Sequence, residues 1–89
     1  MPRFQVPPPF RGPTQGAHVV EVPGSTVLAC IDAAEAQHPG FRAQLLSPAG
    51  ELHRFVRFAL NGTVLQGTVL DRAVAPDDVL DILSSIAGG

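Results

Sequence analysis

The sequence predicts an α+β domain in which a mixed sheet of about four to five strands packs on one main helix. Three observations predict it. Apolar and polar residues alternate near both ends of the chain. One stretch between them repeats its apolar residues at helical spacing, and Asn61-Gly62 closes a long apolar run with the strongest short hairpin signal.

The elements follow in order. In residues 3–6, Phe4 and Val6 share one face and Arg3 and Gln5 the other, as in a half-buried strand. Pro7-Pro8-Pro9 ends it, because proline cannot donate to a ladder. Residues 11–16 have turn composition, and 17–22 read as a second strand forming a hairpin with the first. Gly24-Ser25-Thr26 supplies an N-cap and Pro39-Gly40 a stop for a helix over 27–37. Its apolar face is Val27, Cys30, Ile31 and Ala34, so Cys30 is expected as an inert core thiol. Residues 41–51 read as a connector ending in the Pro48-Ala49-Gly50 turn. A strand over 52–60, the Asn61-Gly62 turn and a short strand over 63–65 follow. Residues 66–75 read as irregular, Pro76-Asp77-Asp78 as a turn and 79–83 as the last strand. This is the order of a ubiquitin-like β-grasp fold, as one domain over 1–89 with 84–89 as a flexible tail.

Composition narrows the function. Hydrophobic content of 45% with 16% charged residues describes a globular domain, and no apolar run approaches a membrane span. Neither a signal peptide nor a basic nucleic-acid footprint is read, so the expected setting is cytoplasmic with neither membrane nor nucleic acid as partner. One cysteine excludes an internal disulfide. His18, His38 and His53 lack ligand spacing and are read as structural or surface groups, with no metal site. All six basic residues are arginines, so a modifier with this sequence would build no lysine-linked chains on itself.

An antiparallel sheet covered on one side by a helix leaves its other face open. Arg57 and Asp81 mark that side. Alternation then puts Phe55, Ala59, Val79 and Leu83 outward as an apolar docking patch, and Val56, Phe58, Leu60, Leu80 and Ile82 inward. Asp71, Asp77, Asp78 and Asp81 read either as a solvated rim or as charges that guide docking. The chain reaches Ile86-Ala87-Gly88-Gly89, and two consecutive glycines make an arm able to thread a narrow channel.

Leu52-His53-Arg54-Phe55-Val56 leading to Asn61-Gly62, the Asp77-Asp78 turn and Ile86-Ala87-Gly88-Gly89 together resemble the MoaD/ThiS sulfur-carrier family over nearly the whole chain. Gly24-Ser25-Thr26 and His38-Pro39-Gly40 fit it too, and Leu52 to Val56 look most like the CysO type. Pro76-Asp77-Asp78 replaces the family's usual Asp-Gly-Asp turn, the segment after Asn61-Gly62 is shorter, and Ser84 stands where a proline is common. The resemblance implies a protein co-substrate rather than an enzyme. An adenylating, ubiquitin-activating-type partner would use ATP and magnesium to activate the Gly89 carboxylate. A sulfur donor protein would convert it to a thiocarboxylate, and a sulfur-accepting biosynthetic enzyme would take the sulfur, for cysteine, thiamine or another metabolite. Ile86, Ala87 and Gly88 would thread the partner's active site, and Phe55, Arg57, Ala59, Val79 and Leu83 would bind it. Two alternatives share this tail: the small subunit of molybdopterin synthase, and a protein modifier conjugated through Gly89.

Overall fold

The computed structural model describes residues 1–84, so the tail residues Ile86, Ala87, Gly88 and Gly89 lie outside the described residues. Five strands, β1 (Arg3–Gln5), β2 (Val19–Glu21), β3 (Val56–Leu60), β4 (Thr63–Val64) and β5 (Val79–Ser84), form one sheet in the order β2-β1-β5-β3-β4. The first and last strands run parallel at its centre and every other pair is antiparallel, which makes the sheet mixed. Helix α1 (Val27–Gln37) lies between β2 and the short helix α2 (Phe41–Leu45) in the chain. This is the β-grasp arrangement expected from the sequence.

The expected bounds of α1 and the observed ones coincide because its signals are local. Thr26 takes an extended backbone and its hydroxyl oxygen accepts from the Ala29 N–H at 3.1 Å. Val27, Cys30, Ile31 and Ala34 are the buried stripe. Gly24, at φ +150°, lies directly against this turn: a Cβ there would come within 2.8 Å of the Cys30 backbone nitrogen and Sγ. Residues 72–74 pin the same end, through Val27 N–H to the Arg72 carbonyl and Val74 N–H to the Ser25 carbonyl.

The core joins the inward residues of the sheet to α1 and α2. Phe4 of β1 meets Phe41 at 5.3 Å and Phe58 at 6.1 Å between ring centroids, both tilted. All three rings are fully buried, as are Val56 and Leu80, and Ile82 is nearly so. Leu60, also expected inside, is half-buried.

Two expectations are corrected. The strand expected over 52–60 begins only at Val56. Leu52 instead bridges Leu46, and the His53 N–H donates to the Leu45 carbonyl, so this backbone serves a small hairpin at the end of α2. Residues 41–45, expected as connector, form α2. Its capping group is remote: the Glu35 carboxylate of α1 accepts from the Arg42 N–H at 2.8 Å and the Gly40 N–H at 3.2 Å.

A second carboxylate closes the other end of the sheet. Asn61 and Gly62 take φ of 50° and 89°, the two positive values a two-residue hairpin needs. Asn61 then reaches β5: its Oδ1 accepts from the Val79 N–H and its Nδ2 donates to Asp78 Oδ1, each at 2.9 Å. Asp78 Oδ2 accepts from the Ala75 N–H at 2.7 Å.

These contacts predict an acid limb of stability. Hydrogen bonds from the Ala75 backbone, then from Asn61, hold the Asp78 carboxyl below its ordinary 3.8. The Arg42 and Gly40 backbone groups hold Glu35 below 4.5. Protons therefore bind the unfolded chain more readily than the folded one. The stabilisation is complete above the ordinary carboxyl values and is lost as pH falls through the depressed folded values. Melting temperatures between neutral pH and pH of about 3 should fall less in Asp78→Asn than in the parent chain. An identical acid limb would contradict the account.

Candidate partner-docking face

With α1 and α2 on one side, the outward residues of the sheet make up its other face, and the strand register fixes their rows. One row runs Val64, Ala59, Asp81, Gln5, Val19 across all five strands. Beside it on one side Arg57 stands opposite Leu83, and on the other Val79, Arg3 and Glu21 line up. Val19, Val64 and Leu83 are exposed, at 41%, 49% and 39%.

Sequence reasoning placed Arg57, Val79 and Leu83 on this face, and the structure brings them together there, Arg57 and Leu83 exposed and Val79 half-buried. Ala59 shares the face but is only 4% exposed. Its methyl lies in the sheet interior between Asp81 on one neighbouring strand and Val64 on the other, so it forms floor rather than contact surface. Phe55 departs further. It precedes the start of β3, is half-buried, packs against the core and stacks on His53 at 5.2 Å with the rings 7° from parallel.

Val64 and Val19 were missed. The signal for Val64 was present: a two-residue Asn61-Gly62 turn sets Leu60 opposite Thr63, and hence Ala59 opposite Val64. Val19 follows from pairing the first two strands with Gln5 opposite it.

Chemistry elsewhere is sparse among the described residues. Cys30 is fully buried and burial pushes its thiol up, which keeps it protonated and unreactive. No group of three or more His, Cys, Asp and Glu residues able to hold a metal occurs there, and no helix is long and apolar enough to cross a membrane. His53 Nε2 lies 3.2 Å from the Ala43 carbonyl. Asp77 and Asp78 sit at the end of the sheet where β5 begins, and Asp81 in its middle row.

A leucine that is exposed on the open sheet face differs from a phenylalanine that is partly core. Leu83→Asp should leave the melting temperature nearly unchanged while weakening partner binding. Phe55→Asp should lower stability by about 1–3 kcal/mol as a charge enters a half-buried stack. Thermal melts of both variants check this, and a large loss in Leu83→Asp alone would invert the assignment.

A β-grasp sheet clad by helices on one face and open on the other defines a small ubiquitin-like domain. The chain belongs to the ThiS family, which matches residues 11–89. Over its full length it is 34% identical to a chain of the Amycolatopsis orientalis BexX/CysO complex, with a TM-score of 0.91 and all of that chain covered. Mycobacterium tuberculosis CysO is 30% identical, with 97% of this chain and 100% of that one covered and a TM-score of 0.89. The likeness to CysO read from residues 52–56 is thus borne out. Haloferax volcanii SAMP1, at 24% identity, TM-score 0.77 and coverage of 99% and 98%, shares the fold. No curated protein matches the sequence.

Proposed function

We propose that the chain is a sulfur carrier whose Gly89 carboxylate is the reacting group. The observation that carries this reading is the likeness to CysO over the whole chain at 34% and 30% identity. The open sheet face, with Leu83 and Arg57 exposed on it, fits a protein that is worked upon by partners.

The chemistry follows from the carboxylate. Its resonance makes it a poor electrophile, so it must be activated before sulfur can replace oxygen. A ubiquitin-activating-type enzyme joins it to the α-phosphate of ATP, with magnesium neutralising the phosphates, and pyrophosphate leaves. Sulfide supplied by the donor attacks the acyl-adenylate carbon, a C–S bond forms as the C–O bond to the phosphate breaks, AMP departs and the S–H proton is lost to solvent. The resulting thiocarboxylate is a strong nucleophile for an acceptor in a biosynthetic enzyme, with cysteine formation the favoured use and thiazole formation for thiamine another. Gly88, Ala87 and Ile86 fit the narrow channel leading to the activating site, since Gly88 and Ala87 carry at most a methyl group.

Exchange of labelled pyrophosphate into ATP by the activating enzyme tests the first step. Exchange that depends on this chain supports the reading. Its absence, with an enzyme that activates another carrier under the same conditions, would overturn it.

A further inference from the structure

The end of the sheet from which the chain continues to Gly89 is ringed by arginines that the sequence scatters. Ser84, the last residue of β5, stands opposite Val56, so residues 54–57 flank it on the β3 side. There Arg57 Nη1 donates to the Arg54 carbonyl at 2.9 Å and the Val56 carbonyl at 3.0 Å, which draws the guanidinium toward that end of the sheet. Arg54 itself is exposed. On the β1 side a depression of about 220 Å³ is lined by Arg11, His18, Asp81 and Leu83 among others. Arg11 is held there by donating its Nε to the Val6 carbonyl at 2.9 Å. Leu83 is therefore bracketed by cations on both sides, with Asp81 the one carboxylate in the depression. The opposite end of the sheet carries Asp77, Asp78 and Glu21, with Arg3 the one arginine in its row between Val79 and Glu21.

We infer that Arg54, Arg57 and Arg11 form a cationic rim around Leu83 that selects the activating enzyme, whose channel mouth presents carboxylates around an apolar contact. This rests on the sulfur-carrier reading and adds to it what the partner's surface must carry. Arginines beside an exposed leucine and valine have the composition of a protein interface, in which Arg is enriched and its planar fork matches a carboxylate. A polyanion such as RNA fits poorly, because acidic residues occupy the far end of the same sheet and the chain's net charge is −2. Rim charges act mainly on encounter, so they set the association rate and its salt dependence rather than the chemical step.

The test measures activation as a function of carrier concentration and salt for the parent chain, Arg54→Glu/Arg57→Glu and Asp81→Asn. The double reversal should lower kcat/KM by about tenfold or more at low ionic strength through KM, with kcat kept and the salt dependence flattened. Asp81→Asn should move kcat/KM the other way. Arg54→Gln/Arg57→Gln gives an intermediate loss and serves if the reversal fails to fold. A parent chain that is activated, with both double variants indistinguishable from it, overturns the rim alone. A parent chain that is never activated overturns the carrier reading and the rim together.

Discussion

Deletion of Gly89 reduces chain-dependent pyrophosphate exchange to background and leaves the melting temperature of the domain unchanged. Two separate arguments meet in this expected result. Among the described residues the core cluster is assembled from side chains between Phe4 and Ile82, and a glycine has no side chain to add to it. On the proposed reading the chemistry depends on it wholly, because the terminal carboxylate moves back to Gly88 when the last glycine is lost and then falls one residue short of the activating site. A chain residue extended spans about 3.3–3.6 Å, and misplacement of a reacting atom by even 1 Å costs about 10²-fold. Exchange at the parent rate would show that Gly89 is not the reacting group. A large loss of stability would show that it serves the fold.

Phe4→Ala carries the largest expected effect on stability, a loss of about 3–5 kcal/mol. Phe4 lies on β1, an interior strand between β2 and β5, is fully buried and touches both Phe41 and Phe58, so it joins the sheet to α2. Removing the ring leaves a cavity where three elements meet and loses two aromatic contacts worth about 0.5–1.5 kcal/mol each. A domain of this size has about 5–15 kcal/mol in all, so the loss takes a large share of its stability. Urea unfolding measures it, and a loss under about 1 kcal/mol would contradict the packing described.

What was legible in the sequence is what is decided locally. Thr26 and Pro39-Gly40 bound α1, Asn61-Gly62 dictates a two-residue turn, and alternation sorts Leu80 and Ile82 from Asp81 and Leu83. The rest was set by distant partners. Helix α2 is capped by Glu35 from the preceding helix, and the start of β3 is decided by the pairing of Leu52 with Leu46. The docking face shows the same division. Arg57, Val79 and Leu83 were placed by period alone, whereas Ala59 is covered by residues of two other strands. Phe55 lost its place to a stack on His53, two residues away in sequence but brought parallel only by the turn before β3. Arg11 and Arg57 lie far apart in the chain, and only a sheet order that sets β5 between β1 and β3 brings them to either side of Leu83.

The central claim is that sulfur is carried on Gly89, and an intact mass of the chain tests it most directly. The chain is incubated with the activating enzyme, ATP, magnesium and a sulfide source, and then weighed. Replacement of one carboxylate oxygen by sulfur, absent when ATP is omitted, is the result expected. An unchanged mass with a competent enzyme would contradict it, and a mass increased by that of a target protein through an isopeptide bond would make the chain a modifier instead.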